Sequence, residues 1–483
     1  SDTVVMILVR SSGENMDNST APGEYALTDN EKALLRALNR HFAKVVLVLN
    51  VGYPIAMDFA DDIHVSAILY NGFGGMLAGQ ALLNVLAGRT TPSGRLTSTW
   101  AKTYDDLPSA GNFYDCYHNE MQRYTADFGP HLTTRYDEGV FMGYRYFVTR
   151  GRKSAFPFGY GLSYTTFTET VESVAYQENA DAVVSVRVKN TGSCPGKQVV
   201  QLYVGKPRTT IDKPLRELVA FNKTETLQPG EEQSLTLCVD GRCLDVFSAA
   251  DQAYLLEGGV YTLYLGEHGE NVREIGCFTV PATIVTRRTQ VHMTGERSTP
   301  GYSDAPLYPG VEQLPVKELI RLSCCSGDGW GMEGTGEAGR IAKITAMVIP
   351  DYVVADGNSG VNMKQRNIGM PSGACYAASF NAELVGEVGR VIGEEAMELG
   401  ISMILGPGFN LQRNPLCGRN PEYFSEDPYL AGMLAAAFAK GLESTGVHGC
   451  YKHLVANNAE ASRKRNDSVM DESTLRNLYL RSF

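Results

Sequence analysis

The spacing of apolar residues changes twice along the chain, and no other feature constrains its fold as strongly. In the first third, short β-branched runs alternate with helical patterns, at residues 3–9, 29–42, 45–50 and 65–70. Such alternation predicts parallel strands joined by crossover helices. Because ligands of these sheets gather at the carboxyl ends of the strands, the loops after Val9, Leu49 and Tyr70 are candidate sites.

The apolar residues then adopt a period of two, first at Val184, Val186 and Val188 and again near residues 202, 237 and 263. With turn signals between the runs, this pattern predicts a small antiparallel β-sandwich over residues 168–281. Residues 282–315 hold Pro, Gly, Ser, Thr and Arg without periodicity, which predicts a linker.

Alternation of helices and strands returns over residues 316–483. We expect helices at 316–323, 383–400 and 428–444, and strands at 352–355, 402–405 and 449–455. Polar clusters at the ends of successive strands are typical of a (β/α)8 barrel, but this region is shorter than the roughly 250 residues that the fold needs. The sequence therefore predicts a multidomain α/β protein that ends in part of a TIM-like barrel.

Composition narrows the possible partners. The net charge of -11 and the pI near 5.4 argue against nucleic acid and against an anionic membrane surface. Ten scattered cysteines without paired CxxC spacing predict mostly buried free thiols rather than disulfides, and no metal or cofactor. No apolar run approaches about 20 residues, and residues 1–10 lack the marks of a signal peptide, which favours a cytoplasmic location.

Three long segments carry a family resemblance. They read GPGFNLQRNPLCGRNPEYFSEDPY at 406–429, KHLVANNAE at 452–460 with Arg463 after it, and FPFGYGLSY at 156–164. All three resemble signature stretches of the β-glucosidase-type glycoside hydrolases of family 3. Most members carry the barrel first, whereas an inverted subgroup carries it last, as this chain does.

The resemblance implies a domain order. Residues 1–167 would be part of the family's α/β sandwich, 168–281 its fibronectin type III-like β-sandwich, 282–315 a linker, and 316–483 the first part of its (β/α)8 barrel. The likeness also implies family strands before Ser1 and after Phe483, so we expect the chain to be cut at both ends.

A neutral pyranose offers only hydroxyl groups, so charged side chains in a dry pocket suit its recognition. The resemblance implies that five residues hold the sugar: Asp356, Arg419, Lys452, His453 and Arg463. The alternative for the two arginines is that they only form ion pairs with Glu422 and Glu460. Glu422, Glu426 and Asp427 are expected to pair with cations or to cap the helix that begins near Pro428.

Retaining glycosidases use two carboxyl groups about 5 to 5.5 Å apart. The family's acid/base lies in a motif like SGEGxD, and this chain reads SGENMD at 12–17, so the resemblance implies Glu14 as the acid/base. Partial burial against a sugar would raise the pKa of Glu14 and help it to act as an acid. The alternative is an ordinary solvated glutamate, and Asp17 is expected only to anchor the loop.

The second carboxyl group is the family's nucleophile, an Asp in a motif like SDW. No such motif follows Lys452. We therefore expect the nucleophile to lie outside this chain, and we expect no turnover from the chain alone. Asp467 and Asp471 are expected instead to cap the last helix, at 471–481.

Other motifs leave alternatives open. Asn362 stands where many relatives carry an Arg after DGPxG, which weakens the case for a plain glucosidase. The glycine-rich stretch 72–79 fails the GxGxxG spacing of a phosphate cradle, and in the family this region lies near the active site. The aromatic stretch 136–146 could contact sugar or pack between domains. Trp330 could stack on a sugar or cover the end of the barrel.

The leading interpretation is hydrolysis of terminal β-D-glucosyl residues by double displacement with retention. A β-xylosidase or an N-acetyl-hexosaminidase of the same family is the runner-up, although the latter group usually shows KHFPGHG where this chain reads KHLVANN. A non-catalytic sugar-binding relative is the third alternative. In each case the expected partner is a small carbohydrate, with a homodimer left open.

Overall fold

The structure is a computed structural model that describes residues 2–113, 131–177, 180–290, 293, 314–323, 336–341, 343, 350–364 and 367–483. Trp330 and the cysteines at 116, 324 and 325 lie outside these residues, so the expectations placed on them are not addressed. The described cysteines are free, as expected, but the prediction that most are buried is wrong for them. Cys417 is buried, whereas Cys238 and Cys277 are exposed on strands whose outward face meets solvent.

The N-terminal region, residues 2–164, is built around a parallel sheet in the order β1-β2-β3. Its elements are β1 (Thr3–Val9), α1 (Asp29–His41), β2 (Lys44–Asn50), β3 (Ala67–Tyr70), α2 (Ala78–Leu86), β4 (Leu132–Arg135) and α3 (Tyr144–Arg150). Helix α1 begins at a capping box in which Thr28 and Glu31 satisfy each other's backbone N–H groups. The predicted parallel strands are confirmed, and α1 is the crossover helix between β1 and β2.

The central β-sandwich consists of two facing antiparallel sheets, in the orders β5-β6-β9 and β13-β12-β7-β8. Its strands are β5 (Phe167–Tyr176), β6 (Ala182–Asn190), β7 (Val199–Gly205), β8 (Glu217–Lys223), β9 (Glu232–Val239), β12 (Gly259–His268) and β13 (Asn271–Val280). The short strands β10 (Val246–Ser248) and β11 (Ala253–Leu256) pair with each other outside these two sheets. The alternating Val184, Val186 and Val188 are fully buried between the sheets. The predicted antiparallel sandwich is confirmed.

The predicted linker begins with a strand. Residues Ile284–Arg288 form β14, which pairs antiparallel with β11. Thr286 helps to hold this strand in place, because its hydroxyl donates a hydrogen bond to Asp245 Oδ2 at 2.7 Å. The β-branched Ile284 and Val285 favour an extended backbone. The linker prediction is therefore wrong for these residues, and most of the remaining stretch lies outside the described chain.

The C-terminal region, residues 314–483, contains a four-stranded sheet in the order β15-β16-β17-β18. Its elements are α4 (Val316–Ser323), β15 (Gly339–Ile341), β16 (Tyr352–Asp356), α5 (Gly373–Ala377), α6 (Ala382–Glu398), β17 (Met403–Leu405), α7 (Pro428–Glu443), β18 (His448–Gly449), β19 (Asn466–Val469) and α8 (Glu472–Asn477). Strands β16, β17 and β18 are parallel, and α6 and α7 connect them. Over the described residues this sheet is open, with antiparallel β15 at its edge.

The strand predicted at 449–455 is wrong beyond Gly449. After β18 the backbone keeps separate hydrogen bonds to residues 404–409 as far as Lys452, and beyond Lys452 tyrosine hydroxyls contact it. The Tyr136 hydroxyl donates to Ala456 O at 2.9 Å, and the Tyr423 hydroxyl donates to Asn457 O at 2.9 Å. These bonds satisfy buried carbonyl groups without a neighbouring strand.

The three regions share buried contacts. One apolar cluster contains residues of all three, including Tyr144, Tyr203 and Phe438. Strand β19 of the C-terminal region pairs in parallel with β4 of the N-terminal region. The fold therefore docks the two α/β regions directly against each other, although the β-sandwich separates them in sequence.

Candidate active site

A cavity of about 580 Å³ lies where the N-terminal and C-terminal regions meet. Its lining comes from the ends of parallel strands in both regions, as the strand-end rule predicts. The N-terminal region contributes Ser12 to Glu14 after β1 and Phe73 after β3. The C-terminal region contributes residues 356–362, together with Gly418, Arg419, Pro421, Glu422 and Lys452.

Cations and carboxylates face each other across this cavity. Lys452 Nζ lies 3.5 Å from Asp356 Oδ1 and 4.0 Å from Glu422 Oε2. Arg419 Nε and Asn358 Nδ2 both donate hydrogen bonds to the Glu422 carboxylate. Three of the five predicted sugar contacts, Asp356, Arg419 and Lys452, are therefore brought together.

Glu422 was expected only to form an ion pair, and it does so, but it also lines the cavity. Sequence reasoning missed the place of Glu422 in the cavity and missed its partner Asn358. The available signal was the spacing of three between Arg419 and Glu422, which places both side chains on one face of a helical turn.

Arg463 is not among the residues that line the cavity. Its Nη1 atom lies 2.5 Å from Glu14 Oε1 and 3.2 Å from Glu460 Oε2. The alternative that Arg463 forms an ion pair with Glu460 accounts for the second of these contacts. The contact with Glu14 was not foreseen, because it joins two regions that are far apart in sequence.

The charge of Glu14 follows from these neighbours. Burial by the protein itself acts to raise the pKa of Glu14. The hydrogen bond from Arg463 and the charges of Arg419 and Lys452 outweigh burial, so the pKa lies below its ordinary value. The Glu14 side chain is 51% exposed, which leaves room for a ligand to change this balance.

His453 also lies outside the residues that line the cavity. Its Nδ1 atom is 3.1 Å from the Tyr423 hydroxyl. Burial first, and then the charges of Arg419, Lys452 and Arg463, lower the pKa of His453 to about 2. The imidazole is therefore neutral at ordinary pH.

The remaining predicted carboxylates have structural contacts. Asp17 anchors its loop by accepting hydrogen bonds from backbone N–H groups, and burial raises the pKa of Asp17 to about 7. Asp427 and Asp471 cap α7 and α8 through Leu430 N and Thr474 N. Asp467 lies within β19, so its predicted capping role is wrong.

The glycine-rich stretch, Asn362 and the aromatic stretch lie as follows relative to the cavity. Phe73 and Gly75 of the glycine-rich stretch line the cavity, and Ser372 N donates to Phe73 O at 2.8 Å. Asn362 lines the cavity, and its backbone N–H donates to Asp356 O at 2.7 Å. In the aromatic stretch, Tyr144 is buried, which favours packing over contact with a sugar.

Neither a metal-binding cluster nor a membrane-spanning helix is present in the described part of the chain. Its His, Cys, Asp and Glu side chains form no group of three or more that could bind a metal ion. Among the helices within that part, none has the length and apolar character needed to cross a membrane.

The fold and the cavity define a multidomain α/β protein whose pocket carries charged and amide groups suited to a polyhydroxylated ligand. The Glycosyl hydrolase family 3 C-terminal domain matches residues 1–164, and the Glycosyl hydrolase family 3 N terminal domain matches residues 336–483. A Fibronectin type III-like domain matches residues 198–269 between them. The chain belongs to glycosyl hydrolase family 3, with its family domains in inverted order.

Individual relatives agree with this assignment. A beta-glucosidase of Ruminococcus albus is 36% identical over the whole chain, which spans 55% of that relative. Beta-glucosidase A of Butyrivibrio fibrisolvens is 29% identical over the whole chain, which spans 70% of its length. Among solved structures, a beta-glucosidase from Paenibacillus barengoltzii has a TM-score of 0.86 at 31% identity, over 100% of this chain and 59% of its own.

A second solved structure matches part of the chain. Beta-glucosidase 3B from Thermotoga neapolitana, in complex with glucose, has a TM-score of 0.54 at 33% identity. The match covers 59% of this chain and 39% of that protein.

Proposed function

We propose that the complete gene product is a retaining β-glucosidase that removes terminal non-reducing β-D-glucosyl residues. The observation that carries the proposal is the cavity in which Glu14 of one region lies beside Asp356, Arg419 and Lys452 of the other. The names of the relatives, and the glucose bound to the Thermotoga neapolitana enzyme, support glucose as the sugar.

In this proposal the C-terminal region holds the sugar. Asp356 accepts hydrogen bonds from sugar hydroxyls, and Arg419 and Lys452 donate to them. The neutral imidazole of His453 is able both to donate and to accept a hydrogen bond. Arg463, which donates a hydrogen bond to Glu14, is also proposed to contact the sugar.

Glu14 is the proposed acid/base. In the first step a carboxylate attacks the anomeric carbon, the bond to the leaving oxygen breaks, and Glu14 gives that oxygen its proton. In the second step Glu14 takes a proton from water, which attacks the same carbon and releases the sugar. No carboxylate of this chain is assigned as the nucleophile.

The domain division remains part of the proposal. Residues 1–167 would belong to the α/β sandwich of the family, and residues 168–281 to its fibronectin type III-like domain. Strand β14 would extend this second domain to Arg288. Residues 316–483 would form part of a (β/α)8 barrel. The parallel β16, β17 and β18 with their intervening helices support this, because they repeat the unit of that fold.

The test uses the complete gene product with p-nitrophenyl β-glucoside. Glu14→Ala should lower turnover strongly, and azide should restore part of it by attacking the sugar in place of activated water. Glu394→Ala is the matched control, because Glu394 is an exposed helical glutamate paired with Arg390. Unchanged turnover in Glu14→Ala would show that the acid/base assignment is wrong.

A substrate panel separates the alternatives. Aryl β-glucosides, β-xylosides and N-acetyl-β-glucosaminides should be compared at equal enzyme concentration. Preference for one of the latter two would move the proposal to β-xylosidase or to N-acetyl-hexosaminidase. Glucose binding without turnover of any substrate would indicate a non-catalytic sugar-binding protein.

A further inference from the structure

The loop at residues 12–18 leaves β1 and crosses onto the C-terminal region. Its side chains and backbone bond there to two segments, one at residues 416–418 and one at 460–463. These are the segments that lead to Arg419 and include Arg463. The position of Glu14 relative to both arginines therefore depends on how this loop is attached.

Asp17 makes the most extensive attachment. Its side chain is buried, and Oδ1 accepts a hydrogen bond from Gly418 N at 2.9 Å. Oδ2 accepts from Glu460 N at 2.7 Å and from Ala461 N at 2.9 Å. One carboxyl group thus joins the loop of Glu14 to both segments of the other region.

The chemistry of this contact requires a carboxyl group. Three N–H donors point at its two oxygens, and an amide of the same shape has only one oxygen to accept them. An asparagine would direct an NH2 group at one or more of these donors, leaving buried N–H groups without an acceptor. The loop would then lose part of its attachment while keeping its size.

A second contact supports the first at the same point. The Ser12 hydroxyl donates to Gly418 O at 2.6 Å. A Cβ atom at Gly418 would overlap the carbonyl oxygen of Met16, so the loop packs directly on the backbone of this residue. The attachment is tight enough to fix the direction of Glu14, which lies between Ser12 and Asp17.

We infer that Asp17, assisted by Ser12, is a positioning residue that fixes the carboxyl group of Glu14 over the cavity. The inference rests on the proposed function, because positioning matters only if Glu14 transfers a proton. An acid must lie within hydrogen-bond reach of the leaving oxygen. A displacement of about 1 Å is able to cost about 100-fold in rate.

Leaving-group dependence distinguishes positioning from general damage. An alkyl β-glucoside needs a proton on its leaving oxygen, whereas 2,4-dinitrophenolate leaves without one. Asp17→Asn in the complete gene product should therefore lower kcat/KM about 100-fold for the alkyl glucoside, and much less for 2,4-dinitrophenyl β-glucoside. Rates are expressed per active site, counted with 2,4-dinitrophenyl 2-deoxy-2-fluoro-β-glucoside, which labels the nucleophile without needing the acid.

Two further variants complete the test. Ser12→Ala should show the same leaving-group dependence with a smaller loss, and it decides the question if Asp17→Asn does not fold. Asp467→Asn, an exposed carboxyl-to-amide change on β19, should leave both rates unchanged.

An equal loss per active site on both glucosides, in whichever of the two loop variants folds, would overturn the positioning role. Wild-type protein that cleaves neither glucoside would instead overturn the proposed function. The two failures are therefore distinguishable.

Discussion

Arg463 Nη1 lies 2.5 Å from Glu14 Oε1, although 449 residues separate the two in sequence. The same guanidinium group lies 3.2 Å from Glu460 Oε2, so it is also held by a carboxylate of its own region. The hydrogen bond from Arg463 acts on the charge of the proposed acid/base. With Arg419 and Lys452 it overcomes the effect of burial and lowers the pKa of Glu14.

Replacement of Arg463 should therefore change the pH profile of the complete gene product. Glu14 must be protonated in the first step, so kcat/KM falls as pH rises through its pKa. Arg463→Gln removes a cation and raises that pKa, so the basic limb should move to higher pH. Arg390→Gln, which removes an exposed arginine of α6, is the control. A basic limb that stays in place would contradict the prediction.

Glu422 should determine the affinity for glucose. It accepts hydrogen bonds from Arg419 and Asn358, and Lys452 lies 4.0 Å away. Glu422→Gln leaves two cations without their shared counter-charge, so their orientation changes. We expect at least about a tenfold weaker Kd, or about 1.4 kcal/mol, measured by titration calorimetry with glucose. Glu394→Gln should bind glucose as the wild type does, and equal affinity of the two variants would refute the role.

His453 should make thermal stability depend on pH. Its pKa in the folded protein is lowered to about 2, against an ordinary value near 6.5. Between these values the unfolded chain binds a proton at His453 that the folded protein does not bind. The free energy of unfolding is therefore unaffected by protonation of His453 above about pH 6.5, and it decreases as the pH falls below that value. The Tm of the wild type should therefore fall relative to that of His453→Gln between pH 7 and pH 5.

The control for this measurement is His41→Gln, at the exposed end of α1. The difference in Tm between this variant and the wild type should stay nearly constant over the same range. A constant difference for His453→Gln as well would show that the imidazole titrates in the folded protein as it does in the unfolded chain.

The hydroxyl of Tyr144 should stabilise the docking of the three regions. It donates to Asp427 Oδ2 at 2.9 Å and accepts from Leu218 N at 2.9 Å. Tyr144→Phe keeps the ring stacked on Phe158 but removes both bonds, at a cost of about 1 to 3 kcal/mol. Scanning calorimetry should show a lower Tm, whereas Tyr146→Phe, on a half-buried ring, should show little change.

Much of the fold was predictable because local patterns determine it. The period of two at Val184, Val186 and Val188 gave the sandwich, since each residue faces the opposite sheet. The strand β14 was missed because it is short and exposed and its partner β11 lies at a distance in sequence. The strand after Gly449 was over-predicted, since its backbone bonds to residues 404–409 end at Lys452 and apolar Leu454 lies exposed.

The candidate site was predictable only in part, for a related reason. The motifs identified Glu14, Asp356 and Lys452, because each lies at or just after the end of a strand in a recognisable segment. The contacts of Asp17 with Gly418 and of Arg463 with Glu14 arise only when two distant regions dock. No local pattern in either segment specifies them.

The long separation between Glu14 and Arg463 also orders events during synthesis. The N-terminal region and the β-sandwich leave the ribosome first and can begin to fold while the partner segments are still untranslated. Contacts so distant in sequence form slowly, because a large loop must close before any of them is made. The cavity is thus a late product of folding, and a nascent chain that stops before Gly418 would carry the Glu14 loop without its contacts to Gly418, Glu460, Ala461 and Arg463.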